Sequence, residues 1–278
     1  MPELPEVETV RRGLQRDVVG SRIVRVDVGR ERTVRRTSRH EIIARLTGVT
    51  MVSTSRRGKY LFAELDSGDR LMIHLRMSGQ VLVADARTER PAHSHVVLTL
   101  ADSREVRFVD PRTFGEVVAY DPADESRLLP EVARLGPDPI SEGLSLAQLR
   151  GALRSTARPV KVALLDQHLV AGIGNIYGDE ILHRAGVSPI RPASSVNARQ
   201  SSRIHEAVHS VLGEAVDAGG STLGDAQYVD VTGEAGGYQD SHRVYARAGL
   251  PCLTCGRGRV VSAVIGGRTT SWCRVCQR

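Results

Sequence analysis

Four cysteines, the only ones in the 278-residue chain, lie in its last 27 residues as Cys252-x2-Cys255-x17-Cys273-x2-Cys276. Two close pairs separated by a hairpin-length insert are what tetrahedral Zn(II) requires of four thiolates. A disulfide within either pair would have to close across only two intervening residues, which makes a redox role the weaker reading. Between the pairs, residues 260–269 read as two short strands around a glycine turn, a rigid support from which Arg268 can be presented. The ion could equally do no more than staple a small terminal domain, and the two roles are compatible.

With 41% hydrophobic residues the chain can bury a sizeable core and is long enough for two domains or more. No apolar run approaches the roughly 18 residues needed to span a bilayer, and the N-terminus has no basic segment followed by an apolar one. A soluble, cytoplasmic protein without a membrane partner is expected. The net charge is +6, and among 38 basic side chains only Lys59 and Lys161 are lysines. Arginine offers forked hydrogen bonds to phosphate, so an Arg-rich basic chain suits nucleic acid, although an organism-wide preference for arginine would leave the same mark.

Hydrophobic period divides the chain into blocks. Val7, Val10, Leu14 and Val18 recur at helical spacing and predict a first helix ending near Gly20. Alternation from Arg22 predicts a strand, and Ser38 with Glu41 has capping-box spacing before a short helix through Leu46. Short apolar runs then follow at 49–55, 59–66, 70–76, 80–84, 94–101, 104–110 and 115–120, a pattern of antiparallel sandwiches or barrels. Residues 121–143 are rich in Pro, Asp and Glu, lack a clear period and read as a linker. Helical segments are predicted from Ser145, over 159–168, 175–185 and 196–217, before a Gly-rich polar stretch from Gly219 to Gln239. That stretch is long enough to be a functional loop.

The opening Met1-Pro2-Glu3-Leu4-Pro5-Glu6 admits two readings. Pro and Glu suit the first turn of a helix through fixed φ and the helix dipole. Alternatively, removal of Met1, expected before so small a residue, would leave Pro2 with a secondary α-amine. An α-amine has an ordinary pKa of about 7.7–8.0 and is partly uncharged near neutrality. Attack on an aldehyde-like carbon would then give an iminium, with Glu3 and Glu6 beside it as proton donor and acceptor.

Taken together, these motifs closely resemble the formamidopyrimidine-DNA glycosylase family over essentially the whole chain. The carriers are Pro2-Glu3-Leu4-Pro5-Glu6, Arg57-Gly58-Lys59-Tyr60, His74-Leu75-Arg76-Met77-Ser78-Gly79, Asp110-Pro111-Arg112-Thr113-Phe114-Gly115, Gly172-Ile173-Gly174-Asn175-Ile176-Tyr177 and the cysteine hairpin ending Cys276-Gln277. The resemblance implies an α+β multidomain chain: an N-terminal antiparallel β-sandwich with flanking helices (1–120), a linker (121–143), a helix-two-turn-helix DNA-binding domain (144–240) with a lesion-capping loop at 219–239, and a β-hairpin zinc finger (241–278). DNA would lie between the first two domains.

The same resemblance implies the chemistry. Pro2 would attack C1′ of a damaged nucleotide and displace the base, Glu3 would supply a proton to the sugar ring oxygen, and Glu6 would support the site. The iminium would acidify the C2′ proton, so that β- and then δ-elimination expel the 3′ and 5′ phosphates. Lys59, His74, Asn175 and Arg268 match family positions that grip phosphates, with Lys59 close to the chemistry. Met77, Arg112 and Phe114 match residues that fill the void left by base extrusion, which otherwise costs a few kcal/mol. Tyr177 lies in a DNA-contacting motif, and Lys161 matches a lysine near the lesion. By itself Asn175 could be an ordinary helix cap, and Met77 and Phe114 ordinary core residues.

The expectation is a monomeric, zinc-containing DNA glycosylase and AP lyase of base excision repair that removes 8-oxoguanine and formamidopyrimidines from damaged duplex DNA. Two rivals are an endonuclease VIII-type enzyme for oxidised pyrimidines and a non-catalytic zinc protein that binds DNA. Leu4 and the set Met77, Arg112 and Phe114 favour the purine enzyme.

Overall fold

The computed structural model describes residues 1–224 and 227–278 and divides into two compact units. The first comprises Met1–Ala133 with Ala218–Gly237. It opens with helix α1 (Leu4–Asp17), then β1 (Ile23–Val28), α2 (Arg39–Leu46), β2 (Met51–Arg57), β3 (Tyr60–Leu65), β4 (Arg70–His74), β5 (Gln80–Asp85), β6 (Ser94–Leu100), β7 (Arg104–Val109), β8 (Glu116–Tyr120) and the short helices α3 (Glu125–Leu128) and α4 (Pro130–Ala133).

All strand pairs are antiparallel, in two four-stranded sheets ordered β1-β6-β7-β5 and β2-β3-β4-β8. Period-two alternation puts Val96 and Leu98 of the first sheet and Leu71, Ile73, Val117 and Ala119 of the second into one core cluster. Val7, Val10 and Leu14 of α1 join the same cluster, as do Ile42 and Leu46 of α2. Fully burying each such aliphatic side chain contributes roughly 1.5–3 kcal/mol, so this shared core holds both sheets and both helices together. The sandwich expected for this block is present.

The second unit comprises Arg134–Asp217 with Tyr238–Arg278. It contains α5 (Leu146–Arg154), α6 (Val160–Leu165), α7 (Asn175–Ala185), α8 (Ala198–Asp217), β9 (Val260–Ile265) and β10 (Arg268–Cys273). Ser145 and Gln148 form the reciprocal capping box that starts α5. Helix α8 buries Ile204, Ala207, Val208, Val211, Leu212 and Ala215, an apolar stripe at helical spacing. Ile265 pairs with Arg268, so Gly266 and Gly267 are the whole hairpin loop, with φ of 56° and 76°. A two-residue turn needing positive φ at both positions explains why glycine stands at each.

Two features differ from the sequence reading. The stretch 121–143 contains short helical turns, Pro122–Asp124, α3, α4 and Pro139–Gly143, and the division into units falls within it, after Ala133. The Gly-rich stretch from 218 to 237, expected to belong with the helical block, belongs to the β unit. There Tyr228 and Val231 enter the sandwich core, and Val231 O accepts from the Val83 amide at 2.7 Å. Two apolar side chains in a polar stretch suffice to decide where it packs. Asp225 and Ala226, within the expected lesion loop, lie outside the described residues.

Candidate active site and metal centre

Helix α1 begins directly behind Pro2, with Glu3 as its N-cap and a reciprocal capping box between Glu3 and Glu6. Pro2, Glu3 and Glu6 are all buried, whereas Met1 is exposed. One Glu6 oxygen accepts from the Glu3 amide at 2.7 Å and the other from the Ser221 amide at 2.7 Å. Gly220, at φ 79°, makes room: a Cβ there would lie 2.8 Å from Glu6 Oε1. Nearby, the buried Tyr228 hydroxyl donates to Gly219 O at 2.9 Å. Burial first, then the charge of Glu6, pushes that phenol well above its ordinary range. The fold therefore joins Glu6 to the Glu3 turn directly behind Pro2 and to the 219–221 segment.

A second group forms where β4 and β8 end side by side, with His74 paired to Glu116. His74 is buried, and its Nδ1 accepts from the Arg76 amide at 3.0 Å, so Nε2 carries the ring proton. Burial, then the Arg76 cation, lowers His74 to about 3, so it acts as a neutral N–H donor near pH 7. In the adjoining turns Met77 and Phe114 are 37% and 39% exposed, although residues of these types usually sit in the core. The Arg112 guanidinium lies 5.3 Å from the Phe114 ring centroid, within cation–π range. Lys59 sits partly buried at the turn between β2 and β3.

Within the second unit, Asn175 opens α7 behind Gly172 and Gly174, and its Nδ2 donates to Thr269 O at 2.9 Å, beside the exposed Arg268. Asp179, one turn on, accepts from the Ser271 amide at 2.9 Å. The helix start and the hairpin are thus bolted together at two points, and Asn175 and Arg268 form one locale.

Lys161 and Tyr177 do not stand at a surface. Lys161 is fully buried, donating to Asn175 O at 2.9 Å and paired with Asp179. Its ammonium is thus turned toward Asn175 O and Asp179, behind the start of α7. Burial raises Asp179 to about 6 against the pull of Lys161. Tyr177 is likewise fully buried, its ring 5.7 Å from that of Tyr238.

Several organising carboxylates carry no mark in sequence. Glu180 accepts backbone amides of Arg243, Val244 and Tyr245 at 2.8–3.0 Å, anchoring the chain that leads into the hairpin. Asp110 shapes the turn before Phe114 by accepting from Ser78 Oγ at 2.6 Å and the Gly115 amide at 2.7 Å. Its position at the head of the Asp110-Pro111-Arg112 motif is the only hint of this.

The thiol sulfurs of Cys252, Cys255, Cys273 and Cys276 lie within 4.8 Å of one another, and none is in a disulfide. The Cys252–Cys276 and Cys255–Cys273 sulfurs are both 3.8 Å apart. A tetrahedron with Zn–S of about 2.3 Å has edges near 3.8 Å, so this donor set fits one metal ion. His183 Nε2 lies 3.7 Å from Cys252 Sγ, and the Gly258 amide donates to Cys255 Sγ at 3.4 Å, as expected around thiolates.

A sandwich carrying an acid-flanked N-terminal proline, with a helical unit that ends in a four-cysteine hairpin, is the architecture of a class of DNA-repair glycosylases. The chain superimposes on the crystal structure of MutM (Fpg) from Thermus thermophilus with a TM-score of 0.89 at 41% identity, covering 99% of this chain and 98% of that one. It superimposes on Lactococcus lactis Fpg in complex with abasic-site DNA with a TM-score of 0.90 at 33% identity, covering 99% of both. Residues 1–117 match the formamidopyrimidine-DNA glycosylase N-terminal domain and residues 135–227 its H2TH domain. The formamidopyrimidine-DNA glycosylases of Rhodopseudomonas palustris and Geobacillus kaustophilus are each 44% identical over the full length of both chains. The chain belongs to the formamidopyrimidine-DNA glycosylase family, DNA glycosylases of base excision repair.

Proposed function

We propose that this protein is a bifunctional glycosylase and AP lyase that removes 8-oxoguanine and formamidopyrimidines from duplex DNA through an imine at Pro2. The observation that carries the reading is Glu6, a buried carboxylate that joins the Glu3 turn, directly behind Pro2, to the Ser221 segment. Met1 must first be removed, because an acylated proline nitrogen has no lone pair to give. The freed amine attacks C1′, the bond from C1′ to the base breaks, and the proton shed by the amine is matched by the one the departing base takes up. Glu3 protonates the opening sugar ring oxygen, and the resulting iminium draws electrons from C2′. Loss of the C2′ proton expels the 3′ phosphate, and a second elimination expels the 5′ phosphate.

Lys59, neutral His74, Asn175 and Arg268 supply cationic and N–H donors for the phosphates around the extruded nucleotide. The start of α7 adds to these, since a helix N-terminus favours an anion. Met77 and Phe114, exposed apolar side chains at the ends of β4 and β8, suit insertion into the emptied stack. Arg112 suits the edge of the unpaired cytosine. Zinc at the four cysteines would offset part of the charge of their thiolates and hold the hairpin that carries Arg268.

Two assays test this. Borohydride should trap a covalent adduct with abasic DNA, and the adduct should weaken markedly in Pro2→Gly/Glu3→Gln, whose primary amine is a poorer substitute; an undiminished adduct would refute the role of Pro2. Incision of 8-oxoguanine:C and thymine-glycol duplexes side by side should favour the former. A preference for thymine glycol would replace the purine reading with the endonuclease VIII-type one.

A further inference from the structure

Both side chains assigned to the emptied stack follow a residue in a conformation that costs energy. Arg76, before Met77, has φ 54°, and Thr113, before Phe114, has φ 57°. Neither is glycine, so each turn holds a left-handed residue that must be over-determined by its surroundings.

Besides Asp110, which accepts from Ser78 and Gly115, a second buried carboxylate, Glu116, 1% exposed, gathers restraints from both turns. Arg76 donates to Glu116 Oε1 at 2.7 Å, fixing the first turn directly. Arg35 donates to the same oxygen at 2.5 Å and also to Arg32 O at 3.2 Å, while Arg32 Nε donates to Thr113 O at 3.1 Å, fixing the second turn through two links. Arg36 closes the cluster on Glu116 Oε2 and is shared with Glu131. Glu116 itself directly follows Gly115 and is paired across the sheet with His74. Burial opposes its ionisation, but Arg36 and Arg76 outweigh that and hold the carboxyl below its ordinary range.

From this geometry we infer that Glu116 is a positioning residue for void filling: its charge sets the two wedge turns in register with each other, and thereby governs extrusion of the damaged base and reading of the opposite base. The inference deepens the glycosylase reading and rests on the roles assigned there to Met77, Arg112 and Phe114. It separates two functions that share one nucleophile. Base removal needs an extruded base and a filled stack, whereas strand cutting at a preformed abasic site has no base to extract.

The test compares the wild type with Glu116→Gln, which keeps size but removes the charge that gathers three guanidinium groups, and with Arg35→Met, which cuts only the path to Thr113. Expected for Glu116→Gln is a loss of about 10- to 100-fold in kcat/KM for 8-oxoguanine removal, because small misplacements of aligned groups carry costs of that order. Strand cutting of a preformed abasic duplex should change by no more than about threefold, and discrimination between C and A opposite the lesion should narrow. Arg35→Met should shift the same ratios in the same direction by less. A third readout needs no turnover: 2-aminopurine beside a tetrahydrofuran abasic analogue should brighten on binding wild type and stay dim with Glu116→Gln at saturating protein. Equal loss of both activities would mean a merely structural role and overturn the inference, as would wild-type 2-aminopurine brightening in both variants. A wild type inert on 8-oxoguanine would count against the glycosylase reading, while the 2-aminopurine signal would still decide the role of Glu116.

Discussion

Glu6 and Ser221 are 215 positions apart in sequence, yet one carboxylate oxygen of Glu6 accepts the Ser221 amide at 2.7 Å. The helix that begins behind Pro2 is thereby joined to the Gly-rich stretch inside one compact unit. Gly220→Ala should break this joint, because it combines φ 79° with a Cβ 2.8 Å from Glu6 Oε1. A stability loss above about 1 kcal/mol in urea unfolding is expected, together with slower borohydride trapping on abasic DNA. Wild-type values for both would show that the joint has no consequence.

Lys161 and Asp179 form a buried pair, and removing one partner leaves the other charge without compensation. Lys161→Met should cost about 3–5 kcal/mol, and Lys161→Met/Asp179→Leu should recover much of it. A double variant no more stable than the single one would place the cost in packing rather than charge.

Arg268 and Lys161 should separate in a salt titration of DNA binding. Each neutralised phosphate contributes a slope of about −0.9 in log K against log salt, so Arg268→Ala should lower the slope by roughly one unit. The buried Lys161 should leave it unchanged when replaced by Met. A slope altered by Lys161→Met would mean that its ammonium does reach a phosphate.

Burial and Arg76 hold His74 at about 3, below its ordinary value of 6.5. Above pH 6.5 the ring is neutral in both folded and unfolded chains, and its contribution to stability is fully present. As pH falls from 6.5 towards 3, the unfolded chain takes up the proton first, so stability declines by up to about 1.4 kcal/mol per unit from this group. His74→Asn should flatten that part of the stability-pH curve relative to wild type. An identical slope in the two proteins would contradict a neutral buried His74.

One zinc per chain should appear in metal analysis, and Cys255→Ala should abolish it. Loss of the ion should lower the melting temperature and weaken DNA binding, because Asn175 and Asp179 contact the hairpin strand that the ion holds. Folded protein without zinc would refute the four-thiolate centre.

Local pattern alone determined much of this protein. Alternation marked the first strand of the sandwich and short apolar runs the others, all within a few residues, because a strand in a packed sheet concentrates its apolar side chains in a few consecutive positions. Cysteine spacing marked a metal site, because ligand geometry at a tetrahedral ion tolerates few separations. The Ser145 and Gln148 box and the first helix were legible for the same reason: each is decided by residues three or four apart.

Tertiary structure alone decided what depends on distant partners. Whether a lysine faces solvent or an aspartate eighteen residues on cannot be read from the lysine, and so the burial of Lys161 against Asp179 was not legible. The Gly-rich stretch looked like part of the helical block, until Tyr228 and Val231 were seen in the sandwich core. Glu116 showed no sign of its role, since three arginines from two separate segments meet on it only after the sheet forms. Burial of a charge is a property of the whole fold: its cost is met by partners that chain order does not reveal.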